Sequence, residues 1–474
     1  MENTLTVDLK VNIKRVFEAQ KNNQLAVKLS SIDDRKTKLK KLKAAIKIRE
    51  NEIFEALKND LRKPVFESAV FEVFFVYGEI DFAIRNLSLW TRPQTVPSNM
   101  VNMMTKCIVN FEPKGVCLII APWNYPFQLL ISPLISAIAA GNCCMLKPSE
   151  LAPATSTVLA NLIKEIFNED EIAVVEGDVS VSTELLSLPF NHIFFTGSTQ
   201  IGKIVMEAAS RNLSTVTLEL GGKSPAIIDQ NADLKKAADK ITWGTFANAG
   251  QTCIAPDYVF VHQDQQDEFI KLMRENIEKK YFNKGQLNKE DYGKIISDNH
   301  FKRIKNLLDD ALKKGAQIKI GGTFEDSDRT IHPTVLTNVS LDATIMKEEI
   351  FGPVLPVLTY KNLKEVIDFV NANNKPLALY VFSKIKRNIE YILKQTSSGG
   401  ACINDVMIHI SNPHLSFGGV NASGIGGSHG IHGFKAFSHE RSIMYQSQLV
   451  DIGKMVYPPY NSKGFILKLL RKLM

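Results

Sequence analysis

The chain has 474 residues, of which 45% are hydrophobic and 23% charged, and it carries a net charge of +7. That balance excludes a disordered or fibrous chain and is enough for roughly two to four packed domains. Much of the positive excess falls in residues 35–49 and 463–472 without interleaved stacking aromatics, which argues against nucleic-acid binding, and no apolar run reaches the ~18 residues of a membrane span.

The opening stretch MENTLTVDLK lacks the apolar core of a signal peptide, so a cytoplasmic location is expected. Residues 1–90 read mostly as helix. Leu39, Leu42, Ile46, Ile53 and Leu57 fall near helical spacing, and VFESAVFEVFFVYGEIDFAIRNLSLW predicts a further helix. The prolines of TRPQTVPSNM break it. From Gly115 onward short apolar strands alternate with helices. GVCLIIAP, CCMLKP, EIAVVEG and NHIFFTG are the strands, and helices are predicted over 127–140, after Pro153 and over 200–210. Such alternation predicts a parallel sheet covered on both faces. A second alternating block, from SPAIIDQ to about Asn404, predicts a second α/β domain. HERSIMYQSQLV reads as a lone strand available for pairing across a subunit boundary. The end, SKGFILKLLRKLM, sets Lys468, Arg471 and Lys472 on one helical face and Phe465, Ile466, Leu469, Leu470 and Leu473 on the rest. A basic amphipathic helix over 463–474 either lies on an anionic membrane surface or docks on its own or a partner subunit.

Several short stretches carry chemistry, each with a plainer alternative. GSTQIGK (197–203) has the spacing of a P-loop, but Ile204 stands where the magnesium-binding Ser or Thr belongs, so phosphoryl transfer is rejected. The remaining reading is a helix N-terminus that approaches a cofactor pyrophosphate. Lys147 and Glu150 close a strand, where ligands of doubly wound sheets bind; a strand-end salt bridge is the alternative. Glu219 lies between apolar neighbours, as a general base of raised pKa or a solvent-facing carboxylate. Asn124, in a proline-bounded loop, is an oxyanion donor or a turn residue. Glu349 and Phe351 open a Gly-Pro turn and, by themselves, say little. Six cysteines without a CxxC pair exclude a zinc knuckle and a thioredoxin-like site and fit free thiols in a reducing compartment. The nine histidines, including His429 and His432 in a glycine-rich loop, read as structural, and no metal is assigned. Cys253 fills a core or acts as a nucleophile, its pKa lowered by a helix N-terminus or a cationic neighbour.

Taken together, PWNYPF (122–127), KPSE (147–150), FTGSTQIGK (195–203), LELGGKSP (218–225), FANAGQTC (246–253), EEIFGPV (348–354) and SFGGVNASGIG (416–426) resemble, in order, the motifs of the aldehyde dehydrogenase superfamily. GQTCIAPDYV, FSHERSIMYQS and YPPY are most similar to the class 3, fatty-aldehyde-like branch. The resemblance implies two doubly wound α/β domains and a β oligomerisation arm. The cofactor domain would span 1–90 and 111–218, the catalytic domain 219–436, the arm 91–110 and 437–450, and the tail 451–474. It implies Cys253 as nucleophile, Glu219 as the base that activates water, and Asn124 with the backbone N–H of Cys253 as oxyanion donors. Cofactor contacts would come from Trp123, Lys147, Glu150, Gly197, Ser198, Gly202, Leu220, Glu349 and Phe351. Tyr125 and Phe417 would line the substrate mouth. It further implies a homodimer and oxidation of a medium- or long-chain aliphatic, or aromatic, aldehyde with NAD or NADP. Glu150 should repel a 2′-phosphate, which favours NAD. An acylating variant, against which Glu219 argues, and a non-enzymatic member of the fold are the alternatives.

Overall fold

The computed structural model describes residues 7–99, 102, 104–449, 454 and 457–473. Two α/β units carry it. In the first, a six-stranded sheet has the order Gly424–Ile425, Thr215–Glu219, His192–Thr196, Val116–Ile120, Cys143–Lys147 and Ile172–Val174. Five strands are parallel, and only Gly424–Ile425 runs antiparallel. The three central strands are buried along their whole length, as a parallel sheet with helices on both faces must be. The helix Gln128–Ala140 is apolar all round and buried, and it stops at Gly141, whose φ of +91° suits a left-handed cap.

The second unit is a seven-stranded sheet in the order Gln317–Ile320, Thr334–Thr337, Val354–Tyr360, Tyr258–His262, Pro225–Ile228, Ala378–Phe382 and Gly400–Ile403. Only the first strand is antiparallel. The strands expected from the alternating block therefore form one sheet, and the chain is mixed α/β with two parallel cores.

Three local features depart from the sequence reading. The strand Ser438–Tyr445 is not alone: it pairs antiparallel with Lys106–Pro113, which also pairs Gln94–Val96. That sheet runs past the expected arm boundary at 110, because all eight residues of Lys106–Pro113 find partners in Ser438–Tyr445. Second, Gly424–Ile425, inside the expected catalytic stretch 219–436, returns to the first sheet and pairs with Leu218 and Glu219. Third, Arg49 divides the basic N-terminal helix into Ile32–Ile48 and Glu50–Leu61, and Ser31 and Asp34 close a capping box on the first of these. Of the expected arm and tail, residues 100, 101, 103, 450–453, 455, 456 and 474 lie outside the described residues.

Candidate active site

The helix Leu234–Phe246 ends at a tight turn in which Asn248, Ala249 and Gly250 all have positive φ, at +50°, +52° and +73°. Consecutive left-handed residues are unfavourable without compensation. Here the compensation is explicit. Asn248 Nδ2 donates to the backbone oxygens of Asn124 (3.0 Å) and Gln251 (3.2 Å), and its backbone N–H donates to Glu67. Gln251 Nε2 donates to the oxygens of Asn248 and Lys294, and its Oε1 accepts from Ile296 N. At Gly250 a Cβ would lie 2.4 Å from the carbonyl of Gly352, so only glycine fits. The turn delivers Cys253 to the wall of a cavity.

That cavity is lined by Leu129, Pro133, Phe194, Leu220, Leu377 and Phe417, with Ser132, Ser136, Thr196, Glu219, Cys253, Ser428 and His429 as its polar members. Glu219 is 5% exposed, and neither carboxyl oxygen has a hydrogen-bond partner of normal geometry among the described residues. Burial pushes its pKa up to about 7, against the pull of the Ser428 hydroxyl and the His429 ring. A carboxyl of this kind exchanges protons near neutrality, as a general base must. Glu219 sits here because it ends a strand: Gly424 pairs it on one side and Thr196 on the other.

Cys253 departs from the expected low pKa. Burial, then the carboxylates of Glu349 and Glu219, push its thiol up to about 12. The backbone N–H groups of residues 253 and 254 pull the other way but do not prevail. The turn offers backbone donors and no cation, so the thiol rests protonated.

Asn124 is buried, and its Nδ2 donates to Gln251 O at 3.0 Å, two residues before the cysteine. An amide has two N–H bonds, and this contact uses one. Tyr125 is not on the cavity wall. Its hydroxyl lies 2.8 Å from Thr252 Oγ1 and its ring stacks under Lys63 Nζ at 4.0 Å, so it supports the cysteine turn from behind. Phe417 does line the cavity.

Most of the residues expected to hold a cofactor lie at the carboxyl ends of the first sheet, whereas Glu349 and Phe351 come from the second unit, just before the strand Val354–Tyr360. Ser198 caps the helix Thr199–Ser210. At Gly202 a Cβ would meet Leu220 at 2.6 Å, so glycine allows the helix start to approach the cavity residue Leu220. Gly197 donates its N–H to Glu219 O at 3.0 Å, which ties that loop to the end of the strand carrying Glu219. Lys147, nearly buried, pairs with Glu150 at 2.6 Å. Trp123 packs edge-on against Phe351 at 5.3 Å. Glu349 is pushed up to about 8 by burial and by Asp257. Helix N-terminus, strand-end lysine and acid, and aromatic pair are a donor set that fits a dinucleotide.

Sequence reasoning missed His429 and Ser428. His429 has a φ of +68° and packs edge-on against Phe75 and Phe417, with Nδ1 3.5 Å from the buried Glu79. Nothing in the local pattern SHGIHG marks these positions, because it is the bridge between Ser428 and Phe417 that brings them to the cavity. Glu79 and Glu72 did carry a signal, since each is a carboxylate inside an apolar helical stretch.

The aldehyde dehydrogenase family model matches residues 6–443. The chain is 44% identical to the 4,4'-diaponeurosporen-aldehyde dehydrogenase of Staphylococcus aureus, covering 92% of this chain and 94% of that one. It is 41% identical to aldehyde dehydrogenase family 3 member A2 of Rattus norvegicus, covering 97% and 94%. The substrate-bound structure of Staphylococcus aureus AldH superposes with a TM-score of 0.93 at 42% identity, covering 97% of this chain and 99% of that one. The fold, the motifs and these likenesses agree: the chain belongs to the aldehyde dehydrogenase family and is an oxidoreductase of its class 3 branch.

Proposed function

We propose that the chain oxidises medium- or long-chain aliphatic, or aromatic, aldehydes to carboxylic acids through a thioester on Cys253. One observation carries this reading: Cys253 and Glu219 converge on a single, mainly apolar cavity. The Cys253 thiol passes its proton to solvent water, and the resulting thiolate adds to the aldehyde carbonyl. Asn124 does not itself line the cavity; its second amide N–H and the backbone N–H of residue 253 would be the donors to the oxygen that becomes negative, each such donor lowering the barrier by about 3 kcal/mol. A nicotinamide dinucleotide would supply the hydride acceptor that lets the sulfur adduct of the aldehyde become a thioester on Cys253. Glu219 then takes a proton from the water that attacks the thioester, and the cysteine sulfur leaves. The apolar walls formed by Leu129, Pro133, Phe194, Leu377 and Phe417 support an apolar aldehyde.

Gly197, Ser198 and Gly202 would hold the pyrophosphate, Lys147 and Glu150 the adenosine ribose, and Trp123, Leu220, Glu349 and Phe351 the nicotinamide end. The Glu150 carboxylate disfavours a 2′-phosphate, which supports NAD, while its pairing with Lys147 softens that repulsion and leaves NADP usable. The test is a series of straight-chain aldehydes from acetaldehyde to hexadecanal, plus benzaldehyde, each with NAD and with NADP. We expect kcat/KM to rise with chain length and to be higher with NAD. Equal use of acetaldehyde and decanal, or a product that forms only with coenzyme A, would overturn the reading.

The two edges of the arm sheet, Gln94–Val96 and the mainly exposed Ser438–Tyr445, support a homodimer, and the six free cysteines support a cytoplasmic location. The tail forms a helix, Gly464–Leu473, with Phe465 and Leu467 exposed, and no helix among the described residues is long and apolar enough to cross a membrane. We assign this helix to peripheral contact with anionic membrane. Deleting residues 463–474 is expected to abolish co-sedimentation with anionic liposomes; unchanged co-sedimentation would remove the assignment.

A further inference from the structure

Beneath the loop that carries Asn124 lies an ion pair that takes no part in the chemistry above. Lys63 and Glu72 have fully buried side chains, with Lys63 Nζ 2.5 Å from Glu72 Oε1. The remaining bonding capacity of both groups is directed at the site. Lys63 Nζ donates to the backbone oxygen of Asn124 at 2.8 Å and rests on the face of Tyr125 at 4.0 Å. Glu72 Oε2 accepts the backbone N–H groups of Phe127 (3.1 Å) and Gln128 (2.9 Å), at the start of the helix Gln128–Ala140. The pair thus grips residues 124–128 at both ends. Asn248, from the cysteine turn, donates to the same Asn124 oxygen at 3.0 Å, so the two halves of the site share one acceptor.

The local backbone shows how Glu72 reaches this point. Residues Ser68–Val73 form a π-helical stretch between Val65–Glu67 and Phe74–Trp90. A π-turn inserts one residue and rotates the rest of the helix about its axis, and such bulges recur at functional sites. Here the stretch turns Glu72 inward, away from solvent. Burying an ion pair is not a general route to stability, since well-packed apolar residues serve as well or better. Its distinctive contribution is direction, because an ammonium and a carboxylate fix the atoms they bond.

We propose that Lys63 and Glu72 are positioning residues that set the Asn124 amide at the oxyanion position. This rests on the reading of Asn124 as an oxyanion donor. Removing the Lys63 ammonium frees the Asn124 carbonyl from one of its two donors and lets the loop shift, and a displacement of ~1 Å in such a site can lower the rate about a hundredfold.

The test is a double-mutant cycle in the full chain, with kcat expressed per NAD-binding site counted by equilibrium titration with NAD. This normalisation removes any fraction that fails to fold. Lys63→Met is expected to lower kcat about tenfold or more, with the KM for NAD unchanged. In an Asn124→Ala background it should cause no further loss, because residues that act through one another are non-additive. Should Lys63→Met not yield folded protein, Glu72→Gln replaces it in the cycle, since the glutamine oxygen still accepts from Phe127 and Gln128. If Asn124→Ala lowers kcat and the second substitution multiplies that loss, the positioning role is overturned and the Asn124 reading stands. If Asn124→Ala leaves kcat unchanged, both fall together. A kcat per NAD-binding site that does not move in the single variant would assign the pair to stability alone and overturn the proposal.

Discussion

Replacing Cys253 with alanine is expected to lower aldehyde oxidation by about 10⁴-fold or more while leaving the fold intact. Losing the nucleophile of a covalent mechanism removes the pathway itself, and residual rates then fall toward background. The side chain occupies a half-buried cavity wall rather than the core, so alanine leaves little void. The melting temperature and the binding of NAD should therefore stay close to wild type. Turnover within tenfold of wild type would sink the mechanism. A companion measurement concerns the thiol itself. Its pKa is raised to about 12 by burial and by the Glu349 and Glu219 carboxylates. Alkylation of the resting protein at Cys253 should accordingly be slow at neutral pH and accelerate steadily into the alkaline range, as expected of a thiolate nucleophile. Substituting Glu349 with glutamine removes the larger of the two repulsions and should speed the labelling at a given pH.

The fold was legible because its signals are local and repeated. Val116–Ile120, Cys143–Lys147 and His192–Thr196 are continuous apolar runs bounded by turn residues, and each became a central buried strand. Motifs adjacent to strand ends were legible for the same reason: the position of Glu219 comes from the end of its strand. The rest depends on contacts far apart in sequence. The pairing of Gly424 with Glu219 brings a late segment back to the first sheet, and no local pattern near Gly424 announces it. His429 and Ser428 reach the cavity through a further long-range contact, the bridge between Ser428 and Phe417. Tyr125 escapes a local reading because its neighbours, Lys63 and Thr252, come from segments more than sixty residues away on either side. The pKa of Cys253 escapes it as well, because charge environment is a property of packing. Its sequence neighbours carry no charge, and the carboxylates that act on it come from residues 219 and 349.

Glu219→Gln separates the two halves of the reaction. Steady turnover should fall about a hundredfold or more, the usual contribution of a general base. The burst of NADH from the first turnover should persist, because that step needs the thiol and the oxyanion donors, whereas hydrolysis of the thioester needs a proton acceptor. The pH profile supplies an independent sign. Glu219 accepts a proton only when ionised, and burial raises its pKa to about 7, so wild-type turnover should fall as pH drops through 7. The glutamine variant should lack that limb. Stability should move in the opposite sense. A carboxyl whose pKa rises from 4.5 when unfolded to about 7 when folded binds more protons in the native state, so its contribution to stability declines as pH climbs across that window. Glutamine copies the neutral form and escapes the decline, so at pH 8 the variant should melt at or above the wild-type temperature. If the burst disappears together with turnover, Glu219 also takes the proton from the Cys253 thiol. If turnover is unchanged, water reaches the thioester without Glu219, and the role assigned to the unpartnered carboxylate is wrong.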